Sequence, residues 1–480
     1  MSRLVVGPFN RVEGDLEVRL DISQGQVQRA EVVSPLYRGF ENMLRGKDVR
    51  DALVIAPRIC GICSVSQSVA AAQAIAELQG LVPARNGRLV SDIVHAVENL
   101  ADHLTHFYLF FMPDFTREAH AGRAWFEPLS ERFSPRGGSA PRDMLGPRAE
   151  FMHILGTLAG KWPHTLTLQP GGVARVAAAN EIRHLLGVLA GFRRFVARHL
   201  LGGPPEEFAA LESAAALLEW AGARPRADLS LFLRASRDLG LHRVGRGNDR
   251  YLSFGAYPQD EGHLFPRGVF NGAGGGALDP GRITEDVASA WDLDSAPARH
   301  PYDGRTRPDG EMRAGYTWCK APRLDGMPAE VGALARQLVA GHPLIADLAR
   351  EGGNVEARIV ARMVEVALLL AAMERWLKEI APRAPFIAHG ETPQRGRGAG
   401  LCEAARGALG HWLRVEEGRI ANFQIIAPTT WNFSPRDSAG TPGPLEQALE
   451  GLPVGRDERT PVMVQHVVRS YDPCMVCTVH

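Results

Sequence analysis

Cysteine is scarce in this sequence, neither charge is in surplus and no apolar run is long, and each shortage removes a class of protein. Six cysteines in 480 residues are too few for a disulfide scaffold. Lys+Arg and Asp+Glu number 54 each, so the formal net charge is zero. The basic surplus with which a nucleic-acid binder neutralises phosphates is therefore missing, and no nucleic-acid partner is expected. Apolar stretches such as 364–372 meet charged residues well before the roughly 20 positions a membrane span needs. The opening MSRLVVGPFNRVEGD has no apolar segment after a basic start, so no secretory signal is read. A protein kept in the cytoplasm, with no membrane span, is the expectation.

The remaining composition is that of a globular chain, 45% hydrophobic, and its length alone would allow about two or three domains. Residues 15–33 alternate apolar and polar around a Gly-containing turn, which predicts a β-hairpin. From Ser68 an Ala-rich helix runs to Gly80, and helical periodicity returns at 89–111, 177–201, 205–221 and, most strongly, 355–380. Gly/Pro-rich stretches at 134–148, 255–282 and 296–311 read as loops. The run FNGAGGGALDPG lacks the Lys-Ser/Thr of a phosphate-binding loop, so a surface loop is expected there. Segments 407–415 and 419–426 flank Glu416-Glu417-Gly418 and predict a second hairpin. Cys60 and Cys63 form one C-x-x-C and Cys474 and Cys477 another, while Cys319 and Cys402 stand alone and read as buried small apolar residues.

C-x-x-C lets two thiolates face one point, so each pair could be a redox dithiol, half a zinc site or half a heavier-metal site. The second pair lies almost at the C-terminus, where no βαβ unit can follow it. Cys63 and Cys474 are 474 − 63 = 411 positions apart, far wider than the usual structural zinc spacing. A shared site would pull both ends into one core. The expectation is a single intertwined domain over 1–480, mainly α with small β-sheets (α+β), its central long helices meeting both chain ends at the site.

The residues around the cysteines carry a resemblance. Arg58-Ile59-Cys60-Gly61-Ile62-Cys63 and Asp472-Pro473-Cys474-Met475-Val476-Cys477-Thr478-Val479-His480 resemble the paired signatures of nickel–iron hydrogenase large subunits. Further matches follow in the same order. They are Arg11-Val12-Glu13-Gly14, Tyr37-Arg38-Gly39-Phe40-Glu41, Asp102-His103-Leu104-Thr105-His106-Phe107-Tyr108, Lys320-Ala321-Pro322-Arg323, Arg406-Gly407-Ala408-Leu409 and Pro428-Thr429-Thr430-Trp431-Asn432. The resemblance covers essentially the whole chain and implies the large-subunit fold.

It also implies heterolytic H2 cleavage at a Ni-Fe(CN)2(CO) centre. Cys60 and Cys474 would bind nickel terminally, and Cys63 and Cys477 would bridge to the iron. Arg406, Pro428 and Thr429 would line the diatomic ligands. Splitting H2 needs a base for the proton: Cys474 or Arg406, of which the thiolate is preferred because a deprotonated arginine would be abnormal. Glu13 would carry the proton onward, and Asp102 and Asp472 would position Arg406. A Mg2+ would sit on Glu41, His480 and the carbonyl of Ile425, with waters completing an octahedron. His103, His106 and His164 read as supporting groups, and Phe107, Tyr108, Phe110 and Phe111 as first of all core residues on a helix. Electrons would leave through a small subunit carrying iron–sulfur clusters, in a heterodimer or a dimer of heterodimers. Maturation proteins would insert the metals.

Three departures point within the family. Gln67 and Asp15 stand where histidine is usual, and a chain running from Met1 to His480 is expected to lack the extension that typical large subunits lose on maturation. Ile62 and Phe110, bulky for gas-channel positions, are expected to restrict O2, so that shrinking them to Val and Leu should make activity oxygen-sensitive. These features resemble the regulatory, H2-sensing branch, which implies slow turnover and a histidine protein kinase as partner. An energy-conserving uptake hydrogenase is the alternative. A metal-free subunit like the one in respiratory complex I is the third reading, set against all four cysteines.

Overall fold

The computed structural model describes residues 2–272, 274–294, 297–456 and 458–479, so His480 lies outside the described residues. Helix accounts for 45% and strand for 19%, the helix-dominated α+β class that the periodicities predict. The centre is the helix Val355–Glu379, whose Val355, Ile359, Val360, Met363, Val364, Val366 and Leu370 are all at most 1% exposed. From Val355 to Ala367 the helix is buried on every side and must pair its charges. Arg358 therefore grips Glu330 through two bonds of 2.8 Å, and Glu365 takes two from Arg336, at 2.6 and 2.7 Å. Against this helix lie Arg85–Thr105, which continues as a wider turn over His106–Phe111, and Ala179–Phe195.

Both predicted hairpins are present. Strands Glu17–Ser23 and Gln26–Val33 pair antiparallel, joined at Gln24 and Gly25, whose φ of 53° and 75° is what a two-residue turn between twisted strands requires. Glu417 and Gly418, at 52° and 70°, join Gly407–Glu416 to Arg419–Ile426 in the same way. Ser2–Val6 adds a third strand to the first hairpin, and Arg395–Ala404 a third to the second.

Elsewhere tertiary burial overrides the local signal. The expected loop at 134–148 is mostly the helix Ser139–Ala159, which buries Ala140, Met144 and Phe151 despite Pro147 inside it. The expected loop at 255–282 takes in the second half of strand Tyr251–Pro258 and its partner His263–Phe270, with Gly275–Gly276 added at the edge, since Ala256, Tyr257 and Phe265 enter the core. The single helix expected over 205–221 divides into Pro205–Ala209 and Ala214–Ala223. Between them Ser213 is extended, its hydroxyl accepting the Ala216 N–H at 3.2 Å. Among the described residues no helix is long and apolar enough to cross a membrane.

The contact that aims the site is helix Ser64–Leu78 on strand Arg395–Ala404. A Cβ at Gly398 would lie 2.2 Å from the Ala74 carbonyl oxygen, and one at Gly400 would lie 1.8 Å from that of Ala70. Only glycine admits a helix backbone this close. The helix carrying Cys63 at its start is thereby seated on the sheet.

Candidate metal centre

Cys60 follows the turn Ala56–Ile59 and Cys63 sits just before the helix Ser64–Leu78, so the first pair spans a helix entrance. The second pair follows the helix Val462–Ser470. There the chain turns at Asp472, whose φ of 56° is one an aspartate tolerates, and Cys474 to Cys477 coil into a short turn. The first and last segments are stitched together. The Met475 N–H donates to the Glu13 carbonyl at 2.7 Å, and Arg38 donates from one guanidinium nitrogen to the carbonyls of both Ile59 and Val476. The Cys474 N–H donates to Thr429 Oγ1 at 3.2 Å, leaving the Thr429 hydroxyl proton free for another acceptor, and Thr430 Oγ1 donates to the Thr478 carbonyl at 3.0 Å.

Two pairs of sulfurs at least 411 positions apart in sequence thus converge. Their Sγ atoms lie within 4.8 Å of one another, with separations of 3.6 Å for Cys60–Cys474, 3.1 Å for Cys63–Cys477 and 3.3 Å for Cys474–Cys477. None is at the roughly 2.05 Å of a disulfide, and all four are buried. Thiolates bound tetrahedrally to one cation at about 2.3 Å would stand about 3.8 Å apart, so this cluster has the size of a metal cage. Soft sulfur ligands fit nickel and iron, and four buried thiols have little use without a cation. Among the described residues no other group of three or more His, Cys, Asp or Glu has this arrangement.

Arg406, on the turn between strands Arg395–Ala404 and Gly407–Glu416, stands against this cluster and is 4% exposed. Its Nη1 and Nη2 donate to Asp102 at 2.5 and 3.1 Å, Nη2 also to Asp472 Oδ1 at 3.1 Å, and Nε to the Asp472 carbonyl at 2.9 Å. Burial alone would lower its pKa, but the two carboxylates facing it hold the guanidinium firmly protonated. Burial, opposed by Arg406, pushes the Asp102 carboxyl up; at Asp472 burial acts in the same sense, but Arg406 together with His106 and Arg362 outweighs it and holds the carboxyl below its usual range. Glu13 is half-buried beside Cys474, with which its backbone forms a parallel bridge, and burial followed by the nearby Cys60 raises its pKa. Ile62 lies between the first two cysteines, packed on the core. Phe110, expected in the core, is only half-buried at the end of the helix that bears Asp102, because its side chain leaves the face on which Phe107, Tyr108 and Phe111 pack edge-on against other rings.

Around the C-terminal tail, Glu41 Oε1 accepts the Ile425 N–H at 2.9 Å, while Oε2 accepts from Thr306 and, at 3.1 Å, from Lys320 Nζ. These groups, with Glu285, Tyr37 and Thr478, line a cavity of about 20 Å³. Both Glu285 oxygens are buried without a hydrogen bond, so two carboxylates face one ammonium and a further cation is electrostatically welcome. Magnesium on Glu41 and the Ile425 carbonyl fits that imbalance.

Sequence reading passed over several supporting residues, including Glu285, whose partners arrive only with the fold. Glu98 accepts the Val65 and Ser66 N–H groups at 2.8 and 2.9 Å and Trp162 Nε1 at 2.8 Å. It caps the helix that starts at the first cysteine pair. Glu98→Ala should leave three buried donors unmatched at about 1–3 kcal/mol each, lowering the melting temperature and nickel occupancy together. A variant with wild-type melting and nickel content would show that the cap is not needed.

Comparison with known proteins decides which metal chemistry this cage belongs to. The pattern of the family described as nickel-dependent hydrogenase matches residues 38–125 and 226–480. The chain belongs to that family. Over 100% of its length this hydrogenase-family chain is 29% identical to the periplasmic [NiFeSe] hydrogenase large subunit of Desulfomicrobium baculatum, covering 95% of that protein. It is 27% identical to the hydrogenase-2 large chain of Escherichia coli K12 (97% covered) and 26% identical to the uptake hydrogenase large subunit of Rhodobacter capsulatus (95% covered). Among solved structures it superposes on the oxidised Ni-Fe-Se hydrogenase of D. vulgaris Hildenborough with a TM-score of 0.86 at 28% identity, covering 100% of both chains. One of these relatives is periplasmic and one an uptake enzyme by name, and no name among them describes a sensor.

Proposed function

We propose that this chain cleaves H2 heterolytically at a Ni-Fe(CN)2(CO) centre and passes the electrons to an iron–sulfur small subunit. One observation carries the reading: four buried thiolates from both chain ends meet beside a buried arginine that two carboxylates hold in place. When bound, the metal pair supplies the electrophile that makes H2 acidic. Cys474 takes the proton, since every nitrogen of the Arg406 guanidinium already donates to Asp102 or Asp472. Glu13 stands next along the chain's own path, joined to Cys474 through the backbone, and relays the proton outward. Arg406, Pro428 and Thr429 would line the diatomic ligands of the bound centre. Glu41 and the Ile425 carbonyl would hold a Mg2+, with His480 the expected third ligand, and such an ion would tie down the C-terminal tail.

The small subunit is supported by the relatives, which are named as large subunits or large chains. H2-dependent dye reduction per nickel, on the chain purified with that subunit, tests the reading: nickel without turnover would overturn it, and absence of nickel would favour the complex-I-like alternative. Glu13→Gln should keep the metals and lose about 10²–10⁴-fold in turnover, as removal of a proton carrier does. A Gln variant at wild-type rate would remove Glu13 from the path.

Two roles fit this chemistry. The uptake role is favoured by the names of the relatives. A cytoplasmic H2 sensor signalling to a histidine kinase is favoured by Gln67, whose amide lies 4.0 Å from Cys477 Sγ, and by the bulk of Ile62 and Phe110. Slow turnover that survives air would support the sensor, and fast turnover the uptake enzyme.

A further inference from the structure

Gln67 and His411 reach each other across the contact between helix Ser64–Leu78 and strand Gly407–Glu416. His411 pairs in register with Gly400, the residue whose missing side chain lets the helix press onto the sheet. Gln67 Oε1 and His411 Nε2 are 2.8 Å apart, and the other end of the amide, Nε2, points at Cys477 Sγ at 4.0 Å. All three residues are at most 1% exposed.

From this geometry we infer that His411 is a positioning residue, which by donating its Nε2–H to Gln67 Oε1 turns the amide so that an N–H faces the Cys477 sulfur. The inference rests on the metal centre proposed above. Three observations support it. An electron-rich sulfur is met favourably by N–H and unfavourably by a carbonyl oxygen, so the orientation of the amide matters. His411 Nδ1 is buried with no partner, which favours the tautomer with its proton on Nε2, because an orphaned N–H in the interior is rare. Burial holds the imidazole neutral, its pKa near 3, so one nitrogen donates at any physiological pH. Phe423 stands edge-on to the ring at 5.4 Å between centroids and limits its rotation. The His411–Gln67 pair thus supports a metal ligand from behind, a role that tunes the electron density of the ligand.

An N–H···S bond draws density from the thiolate. Its loss should enrich the metal pair and lower the CO stretching frequency in the infrared spectrum of the heterodimer. Gln67→Leu removes the bond, and His411→Phe removes only the orientation while keeping an aromatic ring against Phe423. Both should shift the CO band to lower wavenumber at unchanged nickel content. The double variant should shift it no further than Gln67→Leu alone, because the two act as one chain. His411→Gln, which still offers an N–H, should restore the wild-type band. Should His411→Phe fail to load nickel, Gln67→Glu gives the same test: with His411 holding one carboxylate oxygen, the other faces the sulfur, and the band should again move down. A wild-type band in His411→Phe, or additive shifts in the double variant, would overturn the inference. A wild-type heterodimer without CO and cyanide bands would instead overturn the metal-centre reading beneath it.

Discussion

A Cys477→Ala chain, produced with its partner subunit, should purify without nickel and without H2-dependent dye reduction. Cys477 Sγ lies 3.1 Å from Cys63 Sγ and 3.3 Å from Cys474 Sγ, so it closes the cage against both pairs. A residue that merely supports a ligand is worth about 10–100-fold in metal affinity, and losing the ligand itself should exceed that. The fold should survive, because a small buried thiol is exchanged for a methyl group. Cys319→Ala is the control: that thiol is buried too, donates to the Lys320 carbonyl at 3.2 Å and stands apart from the cage. It should keep nickel and turnover. Nickel retained at one ion per chain in Cys477→Ala would break the four-thiolate assignment.

The second large effect is expected at Arg406. Arg406→Met removes the one cation between Asp102 and Asp472 and leaves two buried carboxylates facing each other. Breaking a buried pair in this way costs about 3–5 kcal/mol, because the remaining charge has neither water nor partner. The melting temperature of the heterodimer should fall accordingly, with activity lost in the same variant. Adding Asp102→Asn and Asp472→Asn to Arg406→Met should recover part of the stability, since the uncompensated charge is then gone, but none of the activity. Equal melting temperatures for the single and triple variants would mean that the carboxylates are satisfied by other groups.

The two hairpins, the central helix and the chemistry of the cysteines were legible from residue pattern. A period of two around a glycine, a period near 3.6 over two dozen positions, and soft ligands in C-x-x-C pairs are local properties that a sequence displays directly. Two of the Gly/Pro-rich segments misled for the same reason. Locally, 134–148 and 255–282 carry turn residues, yet Ala140, Met144, Tyr257 and Phe265 are drawn into the core, and burial outweighs propensities worth less than about 1 kcal/mol per residue. Glu98 and His411 gave no signal, and Arg38 only a family match without its partners, because each acts on a partner far away in sequence. Glu98 reaches 33 positions to Val65, Arg38 spans 438 to Val476, and His411 spans 344 to Gln67.

By itself the sequence determined the family, the four thiolates and the helix-rich class, because these reside in residue types and short spacings. The tertiary structure alone decided which donors hold the first cysteine pair at its helix entrance, which second carboxylate stands with Glu41 at Lys320, and which histidine stands behind Gln67. Those are properties of groups brought together by burial. A buried charge or amide must find its partner wherever the packed chain provides one, and no periodicity along the chain records where that will be.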